Sequence, residues 1–481
     1  MSAGWRPLLL SIVLVAACGA EREGPADLRV GRIRLQSDHA ALTSGFAWAR
    51  EAALKYVHRG DPVGPWFEAA LPGREAFCMR DVSHQTEGAL ALGLYEHTLN
   101  MARKFAASVS EARDWCGYWE IDRYDRPAPV DYRSDSDFWY NLPANFDLVQ
   151  ASERAWQWTA DSAWLADPFL AEFYQRSLDD YVRRWDPNGD GIMESPESAG
   201  SRGIPTYWEG EGRRPATGGD LVAAQFAANR AWARMLRARR RPGDFDLADR
   251  ADEEADRLQR MYDETWWSDA LGRYYTAVLP DGSFDSTPVA AMQIFSLYFG
   301  IAEPARVVRL LQGLGPGANV EEDSYLAEAH YRYGRDEAAF DYLLNQMSPS
   351  LDRREYPENP FTAVGTTVRW LAGIRPIASE ALVETRSRLP AAVGWIELDG
   401  VPVFDGSVRV RHAGRSETAL TRSGGSRVRW RAAFDGRHDT LYVDGLPVTA
   451  TSRRTVMGEE EAFVTLTVKP GETRAVSVSA R

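Results

Sequence analysis

The sequence predicts a mainly α protein, an (α/α)6 toroid of paired helices, followed by a small all-β sandwich. Three observations carry this. Between about residues 39 and 375, apolar residues recur at three- and four-residue steps. Beyond Pro376 the period drops to two, in Trp395-Ile-Glu-Leu, Val428-Arg-Trp-Arg and Phe463-Val-Thr-Leu-Thr-Val, with Asp-Gly, Gly-Gly and Pro-Gly turns between them. The connections are also uneven. Segments 109–137 and 186–219 are long and rich in Trp, Tyr, Asp and Glu, and long loops in a compact unit usually carry function.

In order along the chain, helices are expected over 41–58, 84–107, 138–159, 168–185, 220–241, 245–267, 288–300, 303–313, 323–334, 337–347 and 362–374, with a further short one near the start. Ser37-Asp38 opens the first, Gly334 closes one, and Pro376 follows the last. Segment 271–283 reads as a hairpin with an Asp-Gly turn. The expected organisation is therefore a signal over 1–17, a tether over 18–37, a barrel over 38–376 and a sandwich over 377–481.

Composition narrows the function. With 56 Lys+Arg against 69 Asp+Glu the net charge is −13, which argues against nucleic acid, since phosphate binding needs a basic face. The chain is 44% hydrophobic and 26% charged, so it buries an ordinary core and is not disordered. Its 17 tryptophans suit either core filling or stacking on sugar rings. No Cys/His metal spacing is present, and no cofactor is expected.

At the amino terminus Arg6 precedes a largely apolar run, Leu8 to Ala17, too short to span a bilayer as a helix. It ends in Val15-Ala16-Ala17-Cys18, which resembles the bacterial lipoprotein box. The resemblance implies cleavage before Cys18, lipidation of its thiol and an exported protein held at the outer membrane. In such a compartment Cys78 and Cys116 could form one disulfide or stay free.

Five constellations could carry chemistry. Arg80-Asp81, followed by His84-Gln85, crowds polar side chains around a helix entrance; plain capping is the alternative. Trp139-Tyr140-Asn141 sets aromatics beside an amide, as sugar recognition requires, or forms core and cap. Asp186, Asn188, Asp190 and Glu197 match a calcium-loop spacing, but Pro196 and Gly200 argue against the helix that should follow. Trp208-Glu209 places a carboxyl beside an apolar ring, which would raise its pKa as a general acid requires. Finally, Glu322 opens one helix, and Arg354-Glu355-Tyr356-Pro357-Glu358 precedes the last barrel helix in a segment Pro357 keeps out of a helix interior.

Together these residues resemble the six-hairpin glycosidase superfamily, over roughly residues 38 to 376. The glucoamylase-like branch implies a general acid between the fifth and sixth helices, at Glu209, and a base before the twelfth, at Glu355 or Glu358. The α-L-rhamnosidase-like branch instead implies an acid beside the first arginine, at Asp81, and a base Glu after a Thr-Thr element. Here Thr366-Thr367-Val368 is followed by Arg369, so that Glu is missing, which points away from rhamnose. Arg80, Arg354 and Arg369 as uronate partners would place the chain nearer β-glucuronidase-type members. The substrate-binding set is then Arg80, His84, Gln85, Trp139, Tyr140, Asn141, Trp208, Glu322, Arg354 and Tyr356. The expected reaction is inverting, exo-acting hydrolysis of a carbohydrate, with two carboxyls roughly 6.5–9.5 Å apart. A polysaccharide lyase using His84 and Tyr140 against a uronate, and a non-catalytic glycan-binding lipoprotein, are the rival readings.

If Cys18 carries the lipid, Cys18→Ser moves the chain from the detergent-extracted membrane fraction to the soluble fraction. Fractionation of a labelled expression culture checks this.

Overall fold

The computed structural model describes residues 30–208 and 214–480. The signal, Cys18 and Glu209 lie outside them. Among the described residues, twelve helices alternate between an outer and an inner ring. The outer helices are α1 (Ala40–Lys55), α3 (Tyr95–Ser108), α5 (Pro168–Leu178), α7 (Asp244–Met261), α9 (Pro304–Gly313) and α11 (Asp336–Gln346). The inner ones are α2 (Met79–Ala91), α4 (Ala144–Thr159), α6 (Gly219–Arg239), α8 (Ala290–Tyr298), α10 (Val320–Arg332) and α12 (Glu358–Thr366). A π-helical turn, Thr367–Leu371, continues α12.

Each inner helix packs on the next around the ring, and α12 returns onto α2. An inner helix touches protein on every side, so α2 buries all but one of its thirteen residues. The outer helices keep one wet face: α7 buries only Asp244, Ala248, Ala251, Ala255 and Leu258.

The longest connections come before an inner helix, and those after one are short. Only 92–94 separates α2 from α3, whereas 109–143 lies between α3 and α4 and 179–218 between α5 and α6. All long loops therefore gather at the N-terminal ends of the inner helices, which makes that end the mouth.

The sandwich follows. Its first sheet runs β1-β4-β5-β6-β12-β8-β9, where β1 is Arg34–Ser37, β4 Trp395–Val403, β5 Gly406–Ala413, β6 Glu417–Ser423, β8 Thr440–Val443, β9 Leu446–Thr449 and β12 Thr473–Ser477. The second runs β2-β3-β7-β11-β10, from Arg375–Ile377, Leu382–Arg386, Val428–Asp435, Glu460–Val468 and Thr451–Arg454 respectively. Pairing is antiparallel except between β3 and β7. The sandwich sits against the barrel end opposite the mouth. Trp158 Nε1 at the end of α4 donates to the Pro402 carbonyl at 2.8 Å, and His412 Nε2 lies 2.9 Å from the carbonyl of Ala372 after α12.

Three expectations need correction, and one alternative left open is decided. The single helix expected over 84–107 is two, because Gly93 takes φ +81° and turns the chain between α2 and α3. The segment read as a tether to residue 37 ends in strand β1, whose Leu35 pairs opposite Leu398 and is buried. The sandwich begins at Arg375 rather than 377, with Pro376 tolerated on an edge strand. Cys78 and Cys116 are both buried and free, not bonded to each other. The tryptophan surplus is also largely structural, since Trp66, Trp158, Trp164, Trp185 and Trp430 are fully buried.

Ring closure depends on a glycine contact. A Cβ on Gly88 would stand 1.9 Å from the Phe361 carbonyl oxygen, and one on Gly365 would stand 2.8 Å from the Gly88 nitrogen. Backbone cannot yield as a flexible side chain does, so Gly88→Ala should destabilise by about 1–3 kcal/mol or more. Gly313→Ala, where the added carbon meets nothing within 4 Å, should be near neutral. Thermal unfolding of the two variants checks the difference.

Candidate active site

The first turns of the inner helices bring carboxyls to the mouth. Asp81 lies in the first turn of α2, Asp147 in that of α4, Asp220 in that of α6 and Glu358 in that of α12. All four are at most 2% exposed. A helix N-terminus favours negative charge, worth at most ~2 kcal/mol, whereas a buried ion loses several kcal/mol of hydration. Burial wins. It pushes Asp81 up to about 7, Asp147 up to about 7, Asp220 up to about 6 and Glu358 up to about 8.

Their surroundings differ. Asp81 accepts from Arg80 Nε at 3.1 Å on one oxygen and from the Tyr356 hydroxyl at 3.1 Å on the other. Both contacts favour the carboxylate and work against its burial. Asp220 is saturated by the Tyr207 amide (2.5 Å), the Thr206 hydroxyl (3.1 Å) and the Leu221 amide (3.0 Å). It thereby pins the end of the 179–218 loop, so that the Tyr207 ring lies beneath the Arg80 guanidinium and its hydroxyl points to Asp147 at 3.4 Å.

Glu358 meets His84 instead, Oε1 to Nδ1 at 2.5 Å, across the α2–α12 contact. The imidazole stacks on Tyr325, with ring centroids 3.4 Å apart, and stands edge-on to Tyr298. Burial, helped by the charges of Arg154 and Arg80, lowers the His84 pKa to about 3. The imidazole is neutral and the carboxyl is raised, so they share one hydrogen bond rather than an ion pair. The Tyr325 hydroxyl faces the Glu358 carboxyl and, as a hydrogen-bond donor, works against the effect of its burial. Asp147 Oδ1 is buried without a hydrogen-bond partner among the described residues.

The structure unites part of the set read from sequence and scatters the rest. Arg80, Asp81, His84, Tyr356 and Glu358 converge. Gln85 is buried beside them but donates to the Glu68 carbonyl at 3.2 Å. Glu355 and Arg354 turn outward to α1: the Trp48 indole donates to Glu355 at 3.3 Å, and the Arg354 guanidinium lies 3.5 Å from the Trp48 ring centre. Glu322 caps α10, accepting from the Ala318 amide at 2.8 Å.

Trp139, Tyr140 and Asn141 lock two long loops together. Trp139 donates to Asn141, Asn141 to the Thr206 carbonyl, and Tyr140 hydrogen-bonds Asn145 in the core. Trp208 is half-buried beside Tyr207, its amide held by Thr206. The groups a lyase would use, His84, Tyr140, Asn141 and Arg354, are each bonded to a different partner.

Asp186 spends its oxygens on the amides of Gly189, Asp190 and Gly191, and Asn188 donates to Glu194. Among the described residues no group of three or more His, Cys, Asp or Glu is placed to hold a metal. Arg369, in the π-helical turn that continues α12, pairs with Glu87 at 3.0 Å. Eleven residues past Glu358 at 1.5 Å per residue, the Thr366–Arg369 element lies roughly 16 Å along the helix from the mouth.

Asp147, Asp220, Tyr207 and Tyr325 were not picked out by sequence reasoning. A signal existed: an acid in the first turn of five of the six inner helices, all but α8.

No family model matches the sequence, and no curated protein matches it. Solved structures do. A GH78 family rhamnosidase from Bacillus sp. GL1 superposes with a TM-score of 0.61 at 13% identity, over 82% of this chain and 42% of that one. The α-L-rhamnosidase of Dictyoglumus thermophilum gives 0.60 at 9%, over 92% and 50%. The chain shares their fold, an (α/α)6 barrel with a β domain. A putative kojibiose phosphorylase from the human microbiome shares it, with a TM-score of 0.56 at 9% identity, over 92% of this chain and 64% of that one. The chain spans about half the length of the rhamnosidases it resembles.

These carboxyls make stability pH-dependent with a defined sign. Glu358 titrates near 4.5 unfolded and about 8 folded, so the folded state holds the extra proton between those values and stability falls as pH rises through the folded value. Removing the charge removes the loss. Glu358→Gln should melt several degrees above wild type at pH 9 and lose most of that margin by pH 5. Calorimetry at the two pH values checks it.

Proposed function

We propose that the chain is a glycoside hydrolase working from the mouth of the barrel, with Glu358 as proton donor and Asp81 as the carboxylate that activates water. The observation that carries this is the unequal environment of two buried carboxyls. Asp81 is clamped by a guanidinium and a phenol, whereas Glu358 meets a neutral imidazole and the Tyr325 phenol, with its guanidinium neighbour Arg80 bonded to Asp81 instead. An environment that favours the charge on one carboxyl and the proton on the other assigns the base and the acid. By resemblance Glu358 would stand at the base position; its surroundings favour the proton on it instead.

In the reaction Glu358 gives its proton to the glycosidic oxygen as the C1–O bond breaks. Asp81 takes a proton from water as the water oxygen bonds to C1 from the opposite face. The products are an alcohol and a sugar of inverted configuration. Asp147 and Tyr325 supply hydrogen bonds to the ring hydroxyls. Below them His84, Tyr298 and Tyr325 fill the axis, which supports a blind pocket and exo action. Three carboxyls meet two guanidiniums, Arg80 already paired with Asp81 and Arg154 already bonded to the Tyr298 hydroxyl, and this favours a neutral sugar over a uronate. In this reading a lipid on Cys18 holds the enzyme at a membrane.

The test uses leaving groups of different acidity. Glu358→Gln should lose roughly 10²–10⁴-fold on alkyl glycosides or oligosaccharides while keeping most activity on glycosyl fluorides, which need no protonation. Asp81→Asn should lose activity on both. The reverse pattern would exchange the roles. The same leaving-group-dependent loss appearing in Glu209→Gln instead would move the donor to the 186–219 loop.

A further inference from the structure

At the end of the barrel opposite the mouth, α10, α12 and the second sheet enclose a cavity of about 380 Å³. Its cations come from two sources. Arg332 ends α10 and Arg369 lies in the π-helical turn that continues α12, while Arg375, Arg386, Arg388 and Arg453 come from the strands and their flanks. Arg454, exposed, stands at the rim. Only two lining residues are acidic, Glu384 and Glu461.

Those two acids are already engaged on both oxygens. Glu384 meets Arg375 at 3.4 Å, Arg431 at 3.2 Å and Arg453 at 2.7 Å; Glu461 meets Arg386 at 2.5 Å and Arg453 at 2.6 Å. Further acids stand behind the wall: Glu87 pairs with Arg369, Glu328 with Arg332, and Asp336 with Arg388. A guanidinium has five donors and an ion pair uses one or two. A network whose task was only to join barrel and sandwich would match donors with acceptors. Here Arg332 Nε, Arg369 Nε and the Trp370 indole nitrogen, all on cavity-lining residues, are buried without an acceptor among the described residues. Three guanidiniums, of Arg332, Arg369 and Arg388, also surround the Trp370 ring at 5.4 to 5.8 Å. Burial and the neighbouring Arg386 charge hold the Arg388 guanidinium below its ordinary value, as cationic crowding should.

We infer that this cavity is a binding site for a tetrahedral dianion, a phosphate or sulfate group. Guanidinium forks match such oxygens bidentately, and the volume holds the anion with its remaining water. The group enters past Arg454, Thr455 and Val456 at the β10 edge, at the other end of the barrel from the carboxyls.

Calorimetric titration of the purified chain at fixed ionic strength tests this. Inorganic phosphate, inorganic sulfate and glycerol 3-phosphate are the probes, with chloride as the reference. Saturable binding of phosphate or sulfate is expected, weakened at least tenfold in Arg332→Gln/Arg454→Gln and at least threefold in Arg454→Gln alone. That single rim substitution leaves the buried pairs intact, so its folding is not at issue. Arg133→Gln, an exposed arginine at the mouth, should bind as wild type does. Glycerol 3-phosphate binding as tightly as the free ion would identify an esterified group as the ligand, and much weaker binding would identify the free ion. Heat no greater than that of chloride, or equal affinity in wild type and Arg454→Gln, would overturn the site.

Discussion

The contact between the first and last inner helices is the constraint on which the rest depends. Gly88 and Gly365 let α2 and α12 approach until backbone meets backbone. This closes a ring whose two edges are more than 270 residues apart in sequence. The same crossing sets His84 against Glu358 and lets Tyr356, just ahead of α12, reach Asp81. A wider crossing would leave the barrel open and would separate every group proposed to act. Closure of the fold and assembly of the site are thus one event, and the side chains could not be placed there by any local segment.

Closure also explains why the site is electrostatically costly. Six inner helices run the same way, so their N-termini focus positive potential at the mouth. That potential does not match the hydration lost by Asp81, Asp147 and Glu358 in a water-poor setting. The protein leaves the cost standing at Glu358, where an imidazole held neutral is a hydrogen-bond partner, and offsets it at Asp81 with Arg80 and Tyr356. Such unequal treatment of like groups is common where proton transfer has to occur and uncommon in purely structural networks. Asp220 shows the structural alternative in the same ring: a carboxyl with its oxygens bonded to amides and a hydroxyl, holding a loop in place.

The helical periodicity, the switch to period two and the loop lengths were legible because each is a local property of the chain. The break at Gly93 was missed because apolar spacing runs on through it, and β1 because four alternating residues resemble any polar leader. Of the site candidates read from sequence, Arg80, Asp81, His84, Tyr356 and Glu358 converge where polar residues cluster near helix starts, while Glu355 and Arg354, from the same cluster, turn to α1. Which residues of 354–358 face the axis depends on where Pro357 starts α12, and a one-residue change in phase turns a side chain by about 100°. Trp139 and Asn141 carry the composition of a sugar platform but serve to join two loops, a tertiary use that composition does not reveal.

The two ends of the barrel carry opposite charge for one reason. Acids at the starts of α2, α4, α6, α10 and α12, and arginines at or just beyond the ends of α6, α10 and α12, each suit the local helix dipole. Parallel inner helices add these preferences instead of cancelling them, as alternating strands would. The mouth therefore gathers carboxyls, and the far end gathers guanidiniums that the sandwich then encloses with more of its own. Between them Glu87 and Arg369, paired at 3.0 Å, hold opposite charges deep in the ring. A mouth rich in carboxyls suits acid–base work on an uncharged substrate. The far end, roofed by the sandwich, concentrates cations where the helix C-termini favour them, and an anion entering there would meet donors already in position.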